Sequence, residues 1–96
     1  MKIVKIKTWD KMEQEYGLDR DGDILTPLNI SFTKKMEELL PKNRIIKVNK
    51  ILEKDKYYDN YEEYLYILGD KKFFINPYMI EEFLDPKDYP QYFIWF

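Results

Sequence analysis

Five carboxylates, Glu53, Asp55, Asp59, Glu62 and Glu63, are interleaved with Tyr57, Tyr58 and Tyr61 within eleven consecutive residues. The chemistry these residue types offer is recognition. A phenol ring brings rigid apolar area with a polar tip, and neighbouring carboxylates set up a negative field that attracts a basic protein surface. Carboxylates at this density also imitate the phosphate spacing of nucleic acid and suit the basic groove of a nucleic-acid enzyme. The candidate contact residues are Asp55, Tyr57, Tyr58, Asp59, Tyr61, Glu62 and Glu63. The same composition fits a solvated hairpin tip whose charges only maintain solubility.

A second candidate set is basic. Lys34, Lys35, Lys42, Arg44, Lys47 and Lys50 flank a helix and a strand, and Lys34, Lys35, Arg44 and Lys47 would be the contacts of a nucleic-acid-binding barrel if they converged on one face. They alternate with apolar residues as on an ordinary strand face, and the net charge of the chain is −2. The run Asp19-Arg-Asp21-Gly22-Asp23-Ile24 looks like a calcium loop, but alignment on Gly22 puts Gly17 at the first position and Leu28 at the twelfth, where acidic ligands are required. It reads instead as a turn.

The chain has neither histidine nor cysteine. An imidazole base, a thiolate nucleophile, a zinc site of the usual ligands and a disulfide framework are all out of reach. The adjacent pairs Glu62/Glu63 and Glu81/Glu82 point to opposite faces of any regular element, which argues against a two-carboxylate hydrolase site. The expectation is a binding protein, not an enzyme, with no cofactor and no metal.

Charge is divided unevenly along the chain. Residues 53–96 hold ten carboxylates against five lysines, a net of −5, whereas residues 1–52 hold eleven cationic against eight acidic groups, a net of +3. Ninety-six residues support one domain, 1–96, with one core, and 45% hydrophobic with 18% aromatic residues is too apolar for disorder. Without a long apolar run or a signal-peptide pattern, the expected setting is the cytoplasm.

The elements follow from periodicity. Lys2–Lys7, with Ile3, Val4 and Ile6 set among lysines, reads as a strand near a sheet edge. Thr8 as N-cap, Trp9, Met12 and Tyr16 on one face and Gly17 at the end predict a short helix. A second helix follows Ser31 or Thr33 and stops at Pro41. From Arg44 the period changes to two, with Ile46, Val48 and Lys50 on one side and Ile45, Lys47, Asn49 and Ile51 on the other, predicting a central strand. Glu63–Leu68 and Lys71–Ile75 flank Gly69-Asp70 as a hairpin. Asn76-Pro77 predicts a short helix carrying Met79, Ile80 and Phe83. The apolar tail Tyr89–Phe96 reads as a last strand closing the sheet, or as a surface buried in a homodimer mate or partner.

The order of motifs, Trp9-Asp-Lys-Met-Glu-Gln-Glu-Tyr-Gly-Leu-Asp19, Phe32-Thr-Lys-Lys-Met36, a strand, a Tyr-rich hairpin and Tyr78-Met-Ile-Glu-Glu82, resembles small uncharacterised proteins encoded by phages and mobile elements of low-GC bacteria. Those proteins look like small β-barrels of the Src-homology-3 type with helical insertions. The resemblance implies a barrel fold and an anti-defence role of the anti-CRISPR type, in the cytoplasm of a host cell. The acidic hairpin and the Trp95-Phe96 end are particular to this chain.

Taken together, these readings predict an α+β domain: a small, strongly bent antiparallel sheet or Src-homology-3-like barrel with two or three short helices. The expected core is Ile3, Ile6, Trp9, Met12, Phe32, Met36, Ile46, Val48, Leu65, Ile67, Phe74, Met79, Ile80 and Phe83. The leading functional expectation is occlusion of a basic surface of a host nuclease complex. A nucleic-acid-binding barrel and a structural homodimer are the alternatives.

Overall fold

Residues 2–27, 30–51 and 63–93 are described by the computed structural model. The β-branched residues Ile3, Val4 and Ile6 make Lys2–Ile6 strand β1, and the Thr8 hydroxyl caps helix α1, Trp9–Tyr16, by accepting the Lys11 N–H at 3.3 Å. Gly17 ends that helix at φ +80°, a backbone conformation open to glycine. Short strands β2, Ile24–Leu25, and β3, Ser31–Phe32, pair with each other, and Thr33 caps helix α2, Lys34–Leu39, through its hydroxyl. Strand β4 is Ile45–Ile51, β5 Glu63–Leu68, β6 Lys71–Ile75 and β7 Ile80–Leu84, with 3₁₀ turns at Pro77–Met79, Pro86–Asp88 and Pro90–Phe93.

Five of these strands form one antiparallel sheet in the order β6-β5-β4-β1-β7. Strand β4 joins its two parts: Ile45–Val48 pair with β1, whereas Asn49–Ile51 pair with β5. The β5–β6 hairpin closes through Gly69-Asp70, with Gly69 at φ +62° as a two-residue turn requires. The register puts Val4, Ile46, Val48, Tyr64, Tyr66, Phe73 and Ile75 on one face, which packs against Met12, Ile24, Phe32, Met36 and Met79. Beneath them, buried Asn76 donates from its side-chain amide to the Thr26 hydroxyl at 2.8 Å, so two enclosed polar groups satisfy each other.

The bent antiparallel sheet with two α-helices is therefore present, but it is open: β6 and β7 are its edges, and it does not close into a barrel. Strand β1 lies one place in from the edge, with β7 pairing along its outer side. The helix expected after Asn76-Pro77 is a single 3₁₀ turn, and Ile80–Leu84 extend instead to satisfy the backbone groups of β1. Strand β7 thus takes the edge place beside β1; of the tail expected as a last strand, residues 94–96 lie outside the described residues. Pro90–Phe93 form a 3₁₀ turn held against β4 by a hydrogen bond from the Tyr92 hydroxyl to the Ile45 carbonyl, at 3.2 Å.

The expected core fails at five positions. Ile67, Phe74 and Phe83 are 47%, 50% and 52% exposed, and Trp9 and Leu65 are only partly buried. In the β5–β6 hairpin the tyrosines take the inner face, because pairing with β4 aligns Tyr64 with the face of Val48 and turns Leu65 and Ile67 to the other side.

Candidate protein-binding surface

The acidic surface among the described residues is built on β7 and the turn after it. Glu82, Asp85 and Asp88 are exposed, and Phe83, turned to the opposite sheet face from Glu82, has half its surface open. The Lys2 ammonium stands 5.7 Å from the Phe83 ring centre, holding the ring from one side by a cation–π contact. Asp85 positions the turn, its Oδ1 accepting the Lys87 N–H at 3.0 Å. Glu81 is engaged: both of its oxygens accept from Lys11 Nζ at 2.8 Å, tying α1 to the edge. None of Glu82, Phe83, Asp85 and Asp88 was among the expected contacts, although the charge count over residues 53–96 already contained the three acids.

Of the expected acidic contacts, Asp55, Tyr57, Tyr58, Asp59, Tyr61 and Glu62 lie outside the described residues. Glu63 is described: it is the first residue of β5 and only 7% exposed, which gives a partner little to touch.

The basic candidates do not converge as free cations. Arg44, at φ +60°, donates from NH2 to Glu37 Oε2 at 2.7 Å and to the Lys7 carbonyl at 2.6 Å, and from Nε to the Ile6 carbonyl at 3.2 Å. It is a clamp between α2 and the end of β1. Lys47 Nζ donates to the Tyr92 carbonyl at 2.9 Å and secures the C-terminal turn. Lys34 and Lys35 are exposed on α2.

Asp19, the centre of the calcium-like run, is occupied by its own turn. Its Oδ1 accepts the N–H of Asp21 at 2.9 Å and of Asp23 at 3.1 Å, and its Oδ2 accepts the Ser31 hydroxyl at 3.0 Å. Desolvation acts to raise its pKa, but these donors outweigh it and hold the carboxyl below the usual range. Among the described residues no group of three acidic side chains is placed to hold a metal ion. No helix among them is long and apolar enough to cross a membrane.

A cleft of about 430 Å³ opens where β4 and β5 part beyond their short ladder, bordered by Leu40, Pro41, Ile45, Ile67, Leu68 and Tyr92. Burial, and then the nearby Tyr92, push the Tyr66 phenol up at its inner wall. Comparison with protein-family models, curated proteins and solved structures finds no match to this chain.

Proposed function

We propose that this chain is a binding protein that docks its acidic side on a basic protein surface and works by occlusion, without chemistry of its own. The observation that carries the reading is the sheet edge β7 and the turn after it, where exposed Glu82, Asp85 and Asp88 are close in sequence to a half-open Phe83. An exposed aromatic side chain on an edge that also carries carboxylates offers a contact both an anchor and steering towards positive charge. The Tyr-rich segment 55–62 holds further groups of the same chemistry in the sequence. The resemblance to phage and mobile-element proteins extends the proposal to a partner class, a host nuclease complex. The nucleic-acid alternative loses support because Arg44 and Lys47 are spent on internal bonds.

The test is affinity capture from nuclease-treated host lysate, comparing wild type with Glu82→Lys/Asp85→Lys and with Tyr58→Ala/Glu62→Lys. The expected result is one basic protein held by the wild type, released by salt and lost in the first variant. Equal capture by both variants, or capture abolished by nuclease, would overturn the reading.

A further inference from the structure

The two free edges of the sheet carry complementary sequences. Alternate pairing makes β6 and β7 run in the same direction, and the registers place Lys72 and Phe74 on the same face as Glu82 and Leu84. If a second copy is laid beside the first with like faces together, its β7 meets β6 as a parallel strand. Among the registers that match faces, the one that opposes unlike charges sets Lys71 beside Glu81, Lys72 beside Glu82, Phe73 beside Phe83 and Phe74 beside Leu84.

From this the geometry points to head-to-tail self-association, in which the β6 edge of one copy adds to the β7 edge of the next. Three observations carry it. Both edges are unpaired among the described strands, so each presents backbone donors and acceptors that a strand can satisfy. Phe74 and Phe83, at 50% and 52% exposure, are large rings left half in water at the two edges, and pairing would cover both. Lys71, Lys72 and Glu82 make no ion pair among the described residues; Lys5, which faces Glu82 across the β1–β7 ladder, is not bonded to it.

The opposite arrangement, each edge against its own copy, is less favourable at β7, where antiparallel pairing centred on Glu82 opposes carboxylate to carboxylate. Head-to-tail contacts do not close by symmetry, so the product is an open series whose mean size grows with concentration. This inference shares the β7 edge with the proposed function but stands without it, since it needs only the chain itself.

The experiment is sedimentation velocity of the purified chain over a wide concentration range at low and high salt, for wild type, Lys72→Glu, Glu82→Lys and the double exchange Lys72→Glu/Glu82→Lys. Circular dichroism checks that the variants fold, which exposed positions permit. Wild type should show a mass that rises with concentration and falls with salt. Each single reversal should weaken association about tenfold, and the double exchange should restore it, because the charges have then traded edges. Wild type that stays monomeric, single variants that assemble unchanged, or a double exchange that fails to recover would overturn the inference. So would a closed dimer indifferent to Glu82→Lys. Lys72→Glu keeps the acidic edge intact, so it should lose self-association while still binding a foreign basic protein; the two readings therefore fail separately.

Discussion

The rings of Tyr64 and Phe83 stand 5.7 Å apart, tilted by 58°, although β4 and β1 separate the strands that carry them. Three strand spacings of a flat sheet would hold them about 14 Å apart at the backbone. The sheet is curled around its apolar face, and the pair marks the place where its two ends lean together over the core. Tyr64 is fully buried and Phe83 only half covered, so the contact joins the interior to the acidic edge.

Truncating the two rings should therefore cost unequal amounts. Tyr64→Ala should lower stability by about 3–5 kcal/mol, in the range of large aromatic deletions from a core, and Phe83→Ala by about 1 kcal/mol. Urea unfolding of both variants checks this, and equal losses would show that Tyr64 is not the interior partner.

The same face assignment predicts a contrast within the hairpin. Ile67→Ser should change stability by less than about 0.5 kcal/mol, because the side chain it replaces is already near solvent. Ile75→Ala should cost about 2–5 kcal/mol, since Ile75 is fully buried. A large loss for Ile67→Ser in thermal or denaturant unfolding would mean that the hairpin presents its other face to the core.

Much of the architecture was legible in the sequence for local reasons. Thr8 and Gly17 bound one helix, Thr33 and Pro41 the other, and Gly69-Asp70 the hairpin, each through chemistry confined to a few residues. The face of β5 was not legible. Leu65 and Ile67 are the more hydrophobic set, but the decision between them and Tyr64 and Tyr66 rests on pairing with β4, a non-local contact. Ile80–Leu84 was misread for the same reason: Asn76-Pro77 signals a helix start, and the need of β1 for a second partner overrides it after one turn. That misreading hid the edge, because only as the outermost described strand does Ile80–Leu84 present Glu82 on one sheet face and Phe83 on the other.

Arg44 combines a left-handed backbone with a structural ion pair, and the two can be separated by substitution. Arg44→Ala loses the bonds to Glu37 and to the Ile6 and Lys7 carbonyls and keeps a side chain at φ +60°, so it should cost about 2–3 kcal/mol. Arg44→Gly loses the same bonds but relieves the backbone, and should be less damaging by about 1 kcal/mol. If glycine proves the worse of the two in equilibrium unfolding, the positive φ is not a source of strain.

Asp19 should make stability sensitive to acid. Because its folded pKa lies below the unfolded value of about 3.9, its contribution is complete above that value and disappears as pH falls through the folded one. The stability gap between wild type and Asp19→Asn should accordingly be largest near neutrality and narrow below about pH 4. A gap that stays constant from neutral to acid pH would show that the carboxylate charge is not what the turn uses.

The division of β4 between two ladders has a consequence for the order of assembly. The β5–β6 hairpin needs only a two-residue turn, so it can form on its own within microseconds. Strand β1 has no local partner: Ile3 pairs with Lys47 on one side and Leu84 on the other, positions far along the chain. The search for those distant partners, not the making of hairpins or helices, sets the pace of folding. Until β4 has joined the hairpin to β1, the chain holds Ile3, Val4 and Ile6, all buried in the fold, in the open, and the speed of that one junction decides how long it is vulnerable to aggregation.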